Sequence, residues 1–472
     1  MESLTLVAGL LLPWLVGVTV LVAALRGRRA LDDPGELAFI AGAGYLVGAF
    51  LLTLWMRLLA TAGVDFGATA IAAPLLVATA AIGHYLRRRA GAGLANAVRA
   101  AVPALVSPPG LDRAARIAWR LLLVWILVRF ALLGLEVLWR PLFPWDAWTQ
   151  WATKARVWYE LGRIAPFAGA DAWIAADGAS YFDAAPGYPP TLPLLQVWAC
   201  IALGRWDDSL MNWPWWQIAA SLALCVYGAL RGSGLTALAA LVATFFVASI
   251  PLADVHVALA GYGDLPMAAY YTCAVLAFLR WTATRDGREA ALVAVLAIGC
   301  IEIKRPGLAW ALTLVPGAVV VLLPRQGIRV AAAGLGVLLF VLAVLAQTRP
   351  VIFGYPLHLD FEPSWPALGD SYFLLGNWNL LWYGALAAAL LAWRRIASPA
   401  LAPLTMVVAA AGVVLLVVIG LPDPRAWLGE WTSVNRATLQ LAPLIAVYMS
   451  LAFHEFAVGL TGNGAATQTA GT

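Results

Sequence analysis

Runs of apolar residues recur from one end of this chain to the other, each close to the ~20 residues a helix needs to cross the roughly 30 Å hydrocarbon core of a bilayer. LTLVAGLLLPWLVGVTVLVAAL near the start and APLTMVVAAAGVVLLVVIG near the end are two of them. With 62% of the 472 residues apolar and only 12% charged, against about 25% charged in soluble domains, too little polar surface remains to cover a water-exposed globule. In lipid, backbone polar groups must be satisfied within the segment itself, so the expected fold is an all-α polytopic membrane protein. Helices are predicted at roughly 4 to 25, 36 to 60, 67 to 86, 117 to 139, 213 to 230, 235 to 252, 265 to 281, 289 to 303, 307 to 323, 328 to 347, 378 to 393, 400 to 420 and 436 to 456, about thirteen spans. The stretch 189 to 204 (PPTLPLLQVWACIALG) opens with prolines and is shorter than a span, and reads as interfacial or re-entrant.

Arginines set the orientation. Arg26, Arg28 and Arg29, then Arg87 to Arg89 with Arg99, Arg113 and Arg116, then Arg285 with Arg288, Arg325 with Arg329, and Arg394 with Arg395 mark short basic loops, and such loops stay cytoplasmic. The N-terminus is therefore expected outside and the C-terminus inside. The net charge of +5 reflects these topogenic loops rather than a nucleic-acid surface. Were 189 to 204 to cross, every later basic loop would move outside. Cys200, Cys225, Cys273 and Cys300 fall one per apolar stretch, with neither metal-site spacing nor a loop position suited to disulfides. His84, His358 and His454 lie apart from any Asp/Glu grouping with metal-ligand spacing. The first apolar segment lacks a small-residue cleavage site and ends in Arg-Gly-Arg-Arg, which reads as a retained anchor. Residues 457 to 472, rich in Gly, Thr and Ala, are expected to be disordered.

This topology leaves three long outer connections, 140 to 212, 348 to 377 and 421 to 435. The first is dense in tryptophan, interleaved with Asp146, Lys154, Arg156, Asp171, Asp177, Asp183, Asp207 and Asp208. An aromatic belt at the headgroups explains many of these tryptophans, but not their order. In PWDAWTQWATKARVWYELG, Pro144 precedes a helix on which residues 146, 150 and 154 share a side at i, i+4 spacing. A carboxylate, an amide and an ammonium would then line up beside Trp148, Trp151 and Trp158. Flat aromatic faces meet the C–H side of a sugar while carboxylates accept from its hydroxyls.

A second polar cluster is ADVHVALAGYGDLPMAAYY, at the predicted outer mouth between two spans. Asp264, followed by Leu-Pro, suits an N-cap facing outward, and His256 nearby could carry a proton or serve as a structural polar residue. A third, IGCIEIKRPGLAW, gathers Glu302, Lys304 and Arg305 at a Pro-Gly turn. Charges at the membrane border call for a partner, either an anionic phosphate or an internal Glu–Lys or Glu–Arg pair. Arg436, in TSVNRATLQLAPL, is a further phosphate ligand candidate, since guanidinium binds phosphate in bidentate fashion.

WDAW with its KA helix, GYPPTLPLL, GYGDLPMA, the K-R-P-G turn and NRATLQLAPL, in this order, together resemble the GT-C superfamily of membrane glycosyltransferases. The likeness covers roughly residues 117 to 456, by order and spacing, and is nearest in feel to bacterial members related to aminoarabinose transferases and protein O-mannosyltransferases. It implies a helix bundle with an extracytoplasmic active site, a sugar taken from a polyprenyl-phosphate carrier such as undecaprenyl phosphate, and inversion at the anomeric carbon. Carried over, Asp146 matches the catalytic base and Asp264 the second outer acid, while Lys304, Arg305 and Arg436 fall where carrier-phosphate ligands are expected. Lys154, Trp148, Trp151, Tyr188, Tyr262 and His256 form the expected substrate-binding set. Asp146 is followed by Ala147 where many relatives have two adjacent acids, which weakens the case for a divalent metal. Lys304-Arg305-Pro306-Gly307 stands where related bacterial sequences tend to read K-N-E-G. Residues 1 to 116 match no part of the pattern and read as a possible accessory module.

The expected partners are thus a polyprenyl-phosphate-linked sugar, an extracytoplasmic acceptor (lipid, glycan or protein) and membrane lipids, with no cofactor, in a bacterial inner membrane. Two other readings stand beside this one. A transporter or lipid flippase would place binding groups at mid-membrane, where Glu136 and Arg129, seven residues apart on one helix face, could solvate each other. An O-antigen ligase or polymerase would use a diphosphate-linked donor and depend on loop arginines rather than on an acid.

Overall fold

The computed structural model describes residues 2–25, 32–90, 93–176, 180–349, 351–352, 355–356, 365–420 and 432–469. Arg26, Arg28, Arg29, Asp177 and His358 lie outside the described residues, as do parts of the second and third long connections. The fold is all-α. The helices are α1 (Glu2–Leu25), α2 (Pro34–Thr61), α3 (Ala68–Ala90), α4 (Gly93–Val106), α5 (Arg113–Trp139), α6 (Ala152–Leu161), α7 (Ala170–Ala175), α8 (Thr191–Leu203), α9 (Trp213–Gly232), α10 (Ala237–Ala248), α11 (Pro251–Ala258) and α12 (Asp264–Thr284). They continue with α13 (Gly287–Ile301), α14 (Gly307–Leu312), α15 (Leu314–Leu322), α16 (Gly327–Ala346), α17 (Trp365–Gly369), α18 (Leu381–Ala392), α19 (Ala402–Gly420), α20 (Thr432–Leu439) and α21 (Ala442–Thr469). The last of these runs through most of the tail expected to be disordered. Strand is confined, among the described residues, to two short pairs, one of which joins Phe167–Ala168 in parallel to Tyr181–Phe182.

Local chemistry places several helix starts. Asp33, Asp112, Thr236 and Asp286 each accept from a backbone N–H in the first turn of α2, α5, α10 and α13, which satisfies a donor the helix itself cannot. Small residues then set the packing. A Cβ on Gly17 would lie 1.8 Å from the Gly44 carbonyl oxygen, and one on Gly48 1.7 Å from that of Pro13, so α1 and α2 meet backbone to backbone. Gly42 and Gly228 likewise bring α2 against α9, where an added Cβ would lie 2.4 Å from the facing backbone. The N-terminal helices therefore share one continuous hydrophobic core with α8, α9, α12 and α21.

Six described helices are long and apolar enough to cross a membrane: Thr5–Leu25, Pro34–Thr61, Ala68–Arg89, Arg113–Trp139, Gly327–Ala346 and Ala442–Leu460. A seventh arises if α10 and α11, bent by 61°, count as one span. The chain is a membrane-embedded helical protein. The other apolar segments form shorter, broken or less apolar helices; the one expected over 307 to 323 divides at Thr313 into α14 and α15. α8, the proline-led stretch, is a 13-residue helix buried along almost its whole length.

α2, α12 and α13 form a frame held by charge at both ends. At one end Arg280 of α12 makes two 2.8 Å hydrogen bonds to Glu36 of α2 and two of 3.2 Å to Glu289 of α13. At the other, Arg57 of α2 pairs with Glu302, just after α13. The turn beyond Glu302 carries Lys304 toward the start of α12.

Candidate active site

Asp146, Asp264, Lys304 and Arg436 come from four separate parts of the chain and converge at the end of the bundle where α12 begins. Asp264, fully buried, is the first residue of α12, just ahead of the apolar run 265 to 281. Its Oδ1 accepts from Lys304 Nζ at 2.9 Å and from Gln440 Nε2 at 2.7 Å, and its Oδ2 accepts from Arg436 Nε at 2.7 Å. A terminal guanidinium nitrogen of Arg436 reaches Asp146 Oδ2, so this one cation bridges the two acids. Burial alone would raise the Asp264 carboxyl, but the charges of Arg436 and Lys304 outweigh it and hold the group well below the ordinary carboxylate range. The expectation that Asp264 is an outward N-cap is corrected: Gly263 occupies the cap position, and the acid turns inward because two cations and an amide meet it there.

Gly261 explains how the first loop arrives. Its φ of 122° is open to glycine and strained for other residues, and a Cβ there would lie 2.5 Å from that of Ala147. The turn before α12 thus lies directly against the Asp146–Ala147 turn. Arg436 lies 4.4 Å from the centre of the Tyr262 ring, and the Tyr262 carbonyl accepts from Trp215 Nε1 at 2.7 Å.

The expected row of residues 146, 150 and 154 does not form. Residues Ala147–Trp151 make a π-helical turn, with the Ala152 N–H bonding to the Ala147 carbonyl five residues back. More than four residues are then needed per turn, and the acid and the lysine diverge. Lys154, only 2% exposed, pairs with buried Asp183 at 2.9 Å and donates to the Ala185 carbonyl at 2.9 Å. It anchors the 183–190 loop. Burial lowers the Lys154 amine from the ordinary lysine value, with Asp183 acting in the opposite direction. Trp148 also turns away; it is 60% exposed and donates to the Leu142 carbonyl. Trp151 stays: it is fully buried, stacks on Tyr188 at 5.2 Å and 8°, and lies beside Gly263.

Arg305 is the cation of the three that has no carboxylate partner among the described residues. It is exposed, lies 5.6 Å from the centre of the Tyr188 ring, and occupies the space a Cβ on Gly187 would need. Lys304 and Arg436, by contrast, are already matched by Asp264 and Asp146. Among the described residues Glu302 pairs with neither Lys304 nor Arg305 of its own turn but with Arg57 of α2. Arg129 and Glu136 do not solvate each other either: Arg129 pairs with Asp254 of α11, and Glu136 with Arg140.

Gln440 joins the cluster from a position that carries no charge in the sequence. Its amide is oriented by buried Trp310, whose Nε1 donates to Oε1 at 2.6 Å, leaving Nε2 for Asp264. A lone amide in the apolar run ATLQLAPL was the available signal. Among the described residues no group of three or more His, Cys, Asp or Glu side chains converges as a metal site would require. Comparison with protein-family models, with curated proteins and with solved structures finds no match to this chain.

Proposed function

We propose that this protein is an inverting membrane glycosyltransferase that moves a sugar from a polyprenyl-phosphate carrier to an acceptor at the extracytoplasmic face. In this reading it sits in a bacterial inner membrane with thirteen spans, the N-terminus outside and the C-terminus inside. The observation that carries the proposal is the chain Asp146–Arg436–Asp264–Lys304 beside a cation, Arg305, that no carboxylate among the described residues matches.

The chemistry requires a base for the acceptor hydroxyl and positive charge for the leaving phosphate. The acceptor oxygen attacks the anomeric carbon while its proton passes to a carboxylate oxygen of Asp146. The bond from that carbon to the phosphate oxygen breaks, and its electron pair stays on the lipid phosphate. Arg305 meets the phosphate charge, which grows in the transition state, where preorganised cations act most strongly. Lys304 and Arg436 contribute through the network that fixes both acids. Tyr188, backed by buried Trp151, supplies an aromatic wall.

The test is Asp146→Asn in the full chain in lipid nanodiscs with a polyprenyl-phosphate sugar. Loss of about 10²–10⁴-fold in transfer is expected for a missing general base, with the helical fold retained; near-normal turnover would remove Asp146 from the mechanism. A ligase using a diphosphate-linked donor should tolerate this variant. The bend at α11 and the Arg129–Asp254 pair are what a transporter reading would draw on, and flux across proteoliposomes without any transfer would favour it.

A further inference from the structure

His256 lies at the edge of this cluster, with one ring nitrogen unpartnered among the described residues. It sits on α11, and its Nδ1 is 2.8 Å from the Leu252 carbonyl oxygen one turn earlier. A carbonyl only accepts, so Nδ1 carries the hydrogen and Nε2 of the neutral ring is a bare lone pair. That nitrogen is buried and has no hydrogen-bond partner among the described residues, in a side chain only 3% exposed. Native proteins rarely leave a buried acceptor in this state unless water or a ligand completes it.

Its surroundings define the kind of group it can meet. The His256 ring is 5.1 Å from that of half-buried Tyr262, against which Arg436 rests. The charges of Asp264, Arg436 and Lys304 act on the ring electrostatically. The two cations are committed to carboxylates and do not donate to His256. An ionised phosphodiester only accepts and cannot serve a lone pair. A hydroxyl can. We infer that His256 Nε2 accepts a hydrogen bond from a hydroxyl of the bound ligand, making it a recognition residue for the polyhydroxylated part of the substrate, separate from the groups that meet phosphate. This inference rests on the glycosyl-transfer reading above.

The experiment compares binding of two probes to the full chain in nanodiscs: undecaprenyl phosphate, and undecaprenyl phosphates carrying glucose, mannose or 4-amino-arabinose. For His256→Leu, affinity for the sugar-bearing lipid that the wild type prefers should fall about tenfold or more while affinity for bare undecaprenyl phosphate is unchanged. His256→Gln, which can present an amide oxygen at a similar reach, should recover part of the loss. If donor binding is unchanged but the acceptor KM rises at constant kcat, the hydroxyl belongs to the acceptor and the assignment stands. Equal loss for both probes would mark His256 as structural, and no change in either donor binding or acceptor KM would mean that an ordered water alone fills the position; either overturns the inference. A wild type that binds neither lipid would reject the glycosyltransferase reading itself.

Discussion

Arg436 donates to Asp264 through Nε at 2.7 Å and turns its outer nitrogen to Asp146, so a single planar guanidinium sets the spacing of two acids that lie far apart in the chain. An ammonium has no such fork. Arg436→Lys is therefore expected to keep most of the stability, since the charge next to Asp264 persists, but to lose transfer by about a hundredfold or more, in line with the 10²-fold cost of small misplacements. Arg436→Ala should lose both. Thermal unfolding and transfer rate, measured side by side, check the split.

Lys304 and Arg305 are adjacent in sequence and should behave oppositely. Lys304 meets a fully buried carboxylate, and removing one partner of a buried pair typically costs about 3–5 kcal/mol. Arg436 and Gln440 remain on Asp264 in Lys304→Ala, so the lower part of that range is expected. Arg305→Ala should leave the melting temperature unchanged and weaken binding of a phosphate-bearing donor about tenfold, or ~1.4 kcal/mol. Equal melting losses for the two variants would contradict this division.

Gly261 permits the approach that brings Asp146 to the cluster. Gly261→Ala would set its methyl 2.5 Å from that of Ala147 at a φ of 122°. Overpacking of this kind costs about 1–3 kcal/mol, and the two turns should separate, lowering activity with stability. Adding Ala147→Gly removes the opposing methyl and should restore part of both. No rescue in the double variant would show that the backbone conformation, rather than the contact, dominates.

The depressed Asp264 carboxyl makes a statement about pH. Because its folded value lies below the unfolded value of about 3.9, the unfolded chain takes up the proton first as pH falls. The stabilisation from this ion cluster is then complete above about pH 4–5 and is lost only as pH drops further, through the folded value. The gap in melting temperature between wild type and Asp264→Asn should be constant from pH 8 to 5 and narrow only in stronger acid. A gap that already closes near pH 7 would mean that another group controls it.

Much of this was legible along the chain. A helical membrane protein follows from apolar runs whose length matches the bilayer, because no other solvent satisfies both their surface and their backbone. Asp146, Asp264, Lys304 and Arg436 stood out because charge beside apolar spans is costly and rarely idle. What the chain alone misjudged was direction. The i, i+4 rule pointed Lys154 and Trp148 toward the same ligand as Asp146, and one π-helical turn sent them elsewhere. Asp264 looked like a cap because its own helix offers free N–H groups, yet Lys304, Arg436 and Gln440, all distant in sequence, offer it stronger partners. The choice of Asp183 by Lys154, of Arg57 by Glu302 and of Asp254 by Arg129 was likewise tertiary. Residue type determines that a charge near lipid must find a counter-charge; only the packed helices determine which one comes within hydrogen-bonding distance, because that distance depends on glycine contacts and helix ends that no local pattern encodes.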